Sequence, residues 1–312
     1  MQALRVGVVG AGHFGRFHAL KLAKIGVLSG LSDADPARAG LVAGEAGCPA
    51  MPLDSLIAAS DAIIVAAPTR LHMEIGLQVL AAGRHLFMEK PIAATLEEAD
   101  RLIAAARGRV LQVGHIERHS AAIRMLRAEL AGFTPRAMQA TRVAPFRPRS
   151  LDVSVVLDLM IHDIDLVLSL AGAEPVEVRA VGRPVMSAHA DYAVAQLSFA
   201  NGMQAELTAS RVAVAMERRL RLLGDQGEVR VDFLKRELAA LRPGGAELAE
   251  HMPGWGRDLL SWTEHDSLEA EHAAFLDSIR AGTPSEPDGA AGRAALSVAL
   301  RVEQAAATGR VA

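Results

Sequence analysis

Two short stretches carry the side chains best suited to chemistry. The first is Glu89-Lys90-Pro91, which sets an amine directly after the apolar run His85-Leu-Phe-Met88. An amine at a strand exit can hold a substrate oxygen, polarise it and exchange a proton once partial burial lowers its proton affinity. The alternative is a surface lysine paired with Glu89. Pro91 tilts the balance slightly towards function, because it constrains the backbone of Lys90 and removes an N–H where a regular element would need one. The second stretch, Val153 to Leu170, has apolar residues at helical intervals, with Asp158, His162 and Asp165 at i, i+4 and i+7 on one face. A carboxylate beside an imidazole orients it and raises its basicity, as proton removal from an alcohol requires. A buried histidine satisfied by an aspartate is the plainer explanation. Three ionisable groups on one stripe of an apolar helix are nevertheless costly to bury, which favours a function.

The elements that position these groups begin at the N-terminus. Leu4 to Val9 is a short apolar run, Phe14 to Ile25 has helical spacing, and Gly10-Ala-Gly12-His-Phe-Gly15 lies between them. This strand, GxGxxG turn and helix is followed by Asp33, an acid at the distance of a ribose-binding carboxylate. Gly10 permits the tight turn, Gly12 lets backbone approach a pyrophosphate, and Gly15 lets helix and strand pack closely. A pyrophosphate would meet N–H groups at the positive end of the helix dipole. Asp33 would accept from a ribose 2′-hydroxyl and repel a 2′-phosphate, and Ala34 follows it, so NAD is favoured over NADP.

Strands and helices then alternate. A helix is expected over Pro36 to Ala46, a strand from Asp61 to Ala67 stopping at Pro68-Thr69, and a helix from Glu74 to Ala82 with Gly83 as its stop. The strand at His85 follows, then a helix from Thr95 to Arg107 opened by the capping box Thr95-Leu-Glu-Glu98, then the strand Val110 to Val113. This beat predicts a doubly wound parallel sheet, α/β in class, with ligands at the strands' carboxyl ends. Pro68, Thr69, His72, Glu89, Lys90 and His115 would therefore surround one crevice. The candidate cofactor-binding residues are Gly10, Gly12, His13, Phe14, Gly15, Asp33, Arg38, Pro68, Thr69, His72, Glu89 and Lys90.

The beat is lost after His119, which places a domain boundary near residue 118 and assigns 1–118 to the dinucleotide-binding domain and 119–312 to an α+β domain. That second domain would open with a helix from Ala121 to Leu130. Strands are expected over Pro135–Ala144, Val176–Val181, Tyr192–Phe199, Met203–Ala209 and Arg218–Leu223, with Asn201-Gly202 as a hairpin turn. Arg219 and Arg221 alternate with Leu220 and Leu222, the pattern of a strand with one wet and one covered face. The rigid loop Pro145-Phe-Arg-Pro-Arg149 places Arg142, Arg147 and Arg149 either against a diphosphate or in solvent. Arg236 to Thr263, rich in Pro and Gly, reads as irregular connection.

The bulk composition narrows the function classes. With 33 Lys+Arg against 36 Asp+Glu and no basic block, nothing favours nucleic acid or an anionic membrane. The single cysteine, Cys48, suits a reducing compartment, and no signal peptide or membrane-length apolar run is present, so a cytoplasmic protein is expected. His115-x-Glu117-x-His119 and Asp158-x3-His162-Asp163 supply metal-ligand types, but no cysteine cluster or HExxH accompanies them, and no metal is expected.

Several motifs in order resemble the Gfo/Idh/MocA oxidoreductases. They are Val8-Val-Gly-Ala-Gly-His-Phe-Gly15, Asp33-Ala-Asp-Pro36, Ala67-Pro-Thr69 with His72, Leu80 to Pro91, Asp158-x3-His162-x2-Asp165, and the closing segment from Glu271 to Gly282. The resemblance implies an N-terminal Rossmann domain and a C-terminal domain built on an open, mostly antiparallel sheet that commonly forms the oligomer interface, here of a homodimer or homotetramer. It implies hydride transfer between a carbinol carbon of a sugar or cyclitol and NAD, with Lys90 binding substrate and relaying protons. His162 would be the acid/base, supported by Asp158, and His115 and Arg118 would join the substrate site. Within the family, Gly114 to His119 and Asp152 to Asp165 look most like members that oxidise nucleotide sugars, such as UDP-N-acetylglucosamine 3-dehydrogenases. The first motif commonly runs Glu-Arg-Phe-Asn-Pro, whereas His119-Ser-Ala121 follows Glu-Arg here. An inositol or small-diol dehydrogenase is the alternative in substrate. A non-catalytic NAD sensor is the alternative in class, and it would need the glycines but not the acid/base set.

Overall fold

A computed structural model describes residues 4–148, 151–263 and 266–308. Its strands are β1 (Val6–Val9), β2 (Leu28–Ser32), β3 (Ala62–Val65), β4 (His85–Glu89), β5 (Leu111–Gly114), β6 (Pro135–Val143), β7 (Glu177–Arg183), β8 (Tyr192–Ser198), β9 (Gln204–Ser210), β10 (Glu217–Gly224), β11 (Gly227–Asp232), β12 (Glu237–Pro243), β13 (Glu247–Leu248) and β14 (Trp255–Ser261). Its helices are α1 (His13–Lys24), α2 (Pro36–Ala46), α3 (Leu53–Ala59), α4 (His72–Ala81), α5 (Leu96–Ala105), α6 (Ala121–Glu129), α7 (Ile161–Ala171), α8 (Ser267–Ala281) and α9 (Gly289–Thr308).

The chain forms two compact units. One comprises the described residues up to Ile116 together with Asp266–Leu296, and the other comprises the remainder, so the division falls inside α9. The boundary expected near residue 118 gives 266–296 to the second domain, but this segment packs with the first unit. Phe275 and Leu276 of α8 belong to the same buried cluster as Val8, Ile64 and Phe87, and Val113 N donates to Pro287 O at 3.0 Å.

In the first unit β1 to β5 form a parallel sheet in the order β2-β1-β3-β4-β5. Its central strands are apolar almost without interruption because both faces are covered: Val6, Val8, Ile63, Ile64, Phe87 and Met88 have no exposed surface. The order reverses between β1 and β3, and in such sheets that switch point is where a ligand crevice opens. Local signals agree with the fold. Asp35 caps α2 by accepting from Ala37 N and Arg38 N, and Thr95 Oγ1 accepts from Glu98 N at 3.2 Å. Glu98 returns its own bond to Ala94 N at 3.0 Å, one residue before the partner a standard capping box uses.

The second unit holds a sheet in the order β13-β14-β12-β11-β10-β6-β9-β8-β7, antiparallel except for the β6–β9 pair. Met138, Ala140, Leu207, Leu220 and Val231 line its covered face, where α7 packs on β6 and β9 and α6 on β11 and β12. Arg236 to Thr263 is not irregular connection, because it contains β12, β13 and β14. Pro243-Gly-Gly245 and Pro253-Gly254 mark strand ends and turns instead: Pro243 ends β12, and Gly244 and Gly254 turn the chain with φ of 73° and 79°. No helix among the described residues is long and apolar enough to cross a membrane.

Candidate active site

The glycine turn after β1 is built by steric necessity. Gly10 has φ of 100°, and a Cβ there would stand 2.5 Å from Ala66 O, while a Cβ on Gly15 would stand 1.8 Å from Gly10 O. A Cβ on Gly12 would meet nothing within 4 Å, so that glycine faces open space. Gly12 is also the N-cap of α1 and offers no side-chain acceptor, which leaves the first-turn N–H groups for an anion. Asp33 is fixed at the mouth of the turn: its Oδ2 accepts from Ala11 N at 2.6 Å and its Oδ1 from Asp35 N at 2.8 Å. Each oxygen retains a further lone pair for a ribose hydroxyl.

A cleft of about 1030 Å³ opens here, lined by Gly10, Gly12, His13, Phe14, Asp33, Arg38 and Pro68 among others. Its size and its uncapped helix end fit a dinucleotide. Seven expected cofactor residues thus meet in one cavity, and Gly15 packs beneath it. Arg70 and Met51 also line the cleft, and sequence reasoning missed both. Arg70 follows Thr69 at the exit of β3, so the strand-end rule could have included it.

The other expected crevice residues face inward. Both His72 ring nitrogens lie 2.9 Å from carbonyls, Nδ1 from Pro91 O and Nε2 from Ala67 O, and the ring is buried. Both nitrogens face protein carbonyls and the neutral ring donates to one of them, so His72 packs the loop after β3 against the loop after Lys90 and turns no nitrogen to a ligand. Burial also pushes its imidazole below the ordinary histidine range. The Glu89 carboxylate turns towards α1, where Oε1 lies 2.9 Å from His18 Nε2, while Oε2 accepts from Lys90 N at 3.2 Å. Lys90 is half-buried at the end of β4, and His115, 1 % exposed, follows β5.

In the second unit Asp158 lies on a π-helical turn, Val156–Met160, that runs directly into α7, and His162 stands in the first turn of α7. The uniform helix expected from Val153 to Leu170 is therefore wider at its start, a distortion often found at functional positions. The third residue of the stripe has another role. Asp165 accepts 2.8 Å and 2.6 Å bonds from Arg118 Nε and Nη2, and both side chains are buried. Arg118, expected at the substrate, holds α7 through this pair. Arg142, expected at a diphosphate or in solvent, is buried between Asp163 and Glu117, to which it donates at 2.9 Å and 2.8 Å. Burial alone would lower the proton affinity of that guanidinium, but the two carboxylates raise it above the ordinary arginine value. Asp158 shares a small cleft with Arg142, Arg147, Arg211 and Arg218. Arg149 lies outside the described residues. Among the described residues no group of three His, Cys, Asp or Glu side chains is arranged to hold a metal ion.

Comparison with known proteins agrees with this geometry. Residues 4–115 match the NAD-binding Rossmann fold model of the GFO/IDH/MocA oxidoreductase family, and residues 121–230 match that family's C-terminal domain model. The chain is 44 % identical over 306 residues to UDP-N-acetylglucosamine 3-dehydrogenase of Acidithiobacillus ferrooxidans, covering 97 % of each protein. The solved structure of that enzyme superposes with a TM-score of 0.92 over 98 % of both chains. Myo-inositol 2-dehydrogenase of Thermotoga maritima is 27 % identical over 94 % of this chain and 93 % of its own length. Levoglucosan dehydrogenase in complex with NADH and levoglucosan, 21 % identical, shares the fold with a TM-score of 0.87. With the glycine turn, Asp33 and the Lys90 and His162 stretches all present, the chain belongs to the Gfo/Idh/MocA family of NAD-binding oxidoreductases.

Proposed function

We propose that this chain is an NAD-dependent dehydrogenase that oxidises a secondary alcohol of a nucleotide sugar, with the 3-hydroxyl of UDP-N-acetylglucosamine the first candidate. The observation that carries the reading is the 44 % identity to UDP-N-acetylglucosamine 3-dehydrogenase over 97 % of both chains. Backbone N–H groups of the turn from Gly10 to Phe14 hold the pyrophosphate, and Asp33 holds the ribose and disfavours NADP by repelling a 2′-phosphate. When bound, the nicotinamide supplies the carbon that takes the hydride. His162 accepts the hydroxyl proton, Asp158 orients and supports that imidazole, and positive Lys90 steadies the developing alkoxide. Arg147 and Arg218, in the same cleft as Asp158, supply charge for a diphosphate. His115 backs the exit of β5, and Arg118 acts through Asp165 on the helix that carries His162.

The test follows reduced nicotinamide by absorbance with UDP-N-acetylglucosamine, other UDP-sugars and myo-inositol, each with NAD and with NADP. Turnover confined to myo-inositol would overturn the substrate in favour of the reading suggested by the inositol dehydrogenases. Tight NAD binding without reduction on any sugar would favour a sensor. The protein works in the cytoplasm as a homodimer or homotetramer that buries the outer face of the nine-stranded sheet, where Val181, Tyr192 and Leu259 are exposed. Light scattering of the purified chain checks the oligomer, and a monomer would sink that part.

A further inference from the structure

None of the roles above uses the histidines behind Lys90. His18 on α1 and His272 on α8 are 0 % and 1 % exposed. His18 Nε2 lies 2.9 Å from Glu89 Oε1, and His18 Nδ1 lies 2.7 Å from His272 Nε2. With Glu89 ionised and both rings neutral, the hydrogens have one consistent arrangement: His18 Nε2 donates to Glu89, and His272 Nε2 donates to His18 Nδ1. His272 Nδ1 is then a bare nitrogen, and it is buried with no hydrogen-bond partner among the described residues. Phe87 packs edge-on against both rings, so the chain of bonds ends in apolar surroundings. At its other end, the second oxygen of Glu89 accepts from the backbone of Lys90. The carboxylate has room because β5 ends in Gly114, where a Cβ would come within 2.9 Å of Glu89 Oε1.

We propose that His18, itself oriented by His272, is a positioning residue that keeps Glu89 ionised and immobile against Lys90, and thereby keeps Lys90 protonated and in place. The proposal rests on the reading of Lys90 as a substrate ligand. Burial works to raise the Glu89 carboxyl, but the hydrogen bond from His18 and the charge of Lys90 hold it below the usual carboxylate range. By the same reciprocity an ionised Glu89 strengthens the hold of Lys90 on its proton. The other groups facing this cluster are His72 of α4 towards Glu89, and Lys21 of α1 and Asp266 at the start of α8 towards His272. Burial and then the charge of Lys21 keep His272 neutral.

The experiment compares full-length wild type with His18→Leu, His18→Gln and Glu89→Gln by two readouts. The first is the pH profile of kcat/KM, and the second is the pH dependence of Lys90 acylation followed by peptide mass spectrometry. With His18→Leu and with Glu89→Gln, the midpoint of Lys90 acylation and the alkaline limb of the profile move down by about one pH unit or more. His18→Gln, whose amide can still donate to Glu89, restores most of the shift. If Glu89→Gln leaves the acylation midpoint at its wild-type value, the proposal is overturned, whether or not His18→Leu folds. A shifted acylation midpoint with an unmoved pH profile would uphold the positioning and instead remove Lys90 from the chemistry.

Discussion

The two units bury ionised groups by opposite means. The first sets Glu89 against the imidazole of His18, which is bonded in turn to the neutral imidazole of His272. The second surrounds Asp163, Glu117 and Asp165 with the guanidiniums of Arg142 and Arg118, which stay charged at any pH a protein experiences. The imidazole cluster adjoins Lys90, whose backbone N–H donates to Glu89. The guanidinium clusters anchor α7, which carries His162 and follows the turn that carries Asp158, to β6 and to the turn that carries Glu117 and Arg118. Hydrogen-bonded imidazoles lie beside Lys90, and permanent charge lies around α7.

The sharpest way to break this contrast is to remove the reacting groups themselves. Lys90→Met and His162→Asn are each expected to lower turnover about 10²- to 10⁴-fold while NAD still binds, as measured by steady-state kinetics and calorimetric titration. Wild-type turnover in either variant would leave both clusters without a reaction to serve. Arg142→Met should destabilise the protein by about 3–5 kcal/mol, because Asp163 and Glu117 are left buried without their partner. Denaturant unfolding checks this, and a loss under about 1 kcal/mol would mean that the guanidinium mounting matters little.

Two glycines separate fold from function within the turn. Gly10→Ala, forced into a left-handed conformation against Ala66 O, should cost about 1–3 kcal/mol of stability. Gly12→Val meets open space, so its melting temperature without cofactor should hardly change while NAD affinity falls about tenfold or more. Equal stability losses in the two would undo that separation. The smallest effect concerns pH. His272 and His72 are held neutral in the folded protein but take up protons near pH 6.5 when unfolded, so the unfolded state binds more protons below that pH. Stability is therefore full above about pH 6.5 and declines as the pH falls below it. The melting temperature should drop between pH 7 and pH 5, with a shallower slope in His272→Gln. An unchanged slope would show that the imidazole cluster does not respond as the contrast requires.

What could be read along the chain was whatever depends on neighbours in sequence. The turn from Gly10 to Gly15, the cap at Thr95 and the alternating strand and helix beat are local, and so are the Asn201-Gly202 hairpin and the alternation along β10. Pairings across the fold were not legible. Nothing near Arg118 announces Asp165, and nothing near His18 announces His272 at the far end of the chain. The stripe of Asp158, His162 and Asp165 looked uniform because spacing reports only a shared face. It cannot distinguish Asp165, neutralised from another element, from the two residues on the π turn and the helix start that follows. Arg236 to Thr263 was misread for a related reason: proline and glycine mark both loops and tight hairpins, and only the partner strand decides between them.

The return of Asp266–Leu296 to the first unit has a consequence for how the protein is made. On the ribosome, the strands of the parallel sheet emerge before those of the nine-stranded sheet, yet Phe275, His272 and Pro287, which complete their packing and hydrogen bonding, emerge only after it. A chain cut near residue 118 therefore exposes the side of Phe87 and Gln112 that α8 covers in the folded protein. The parallel sheet is thus sealed by residues that follow the nine-stranded sheet in the sequence.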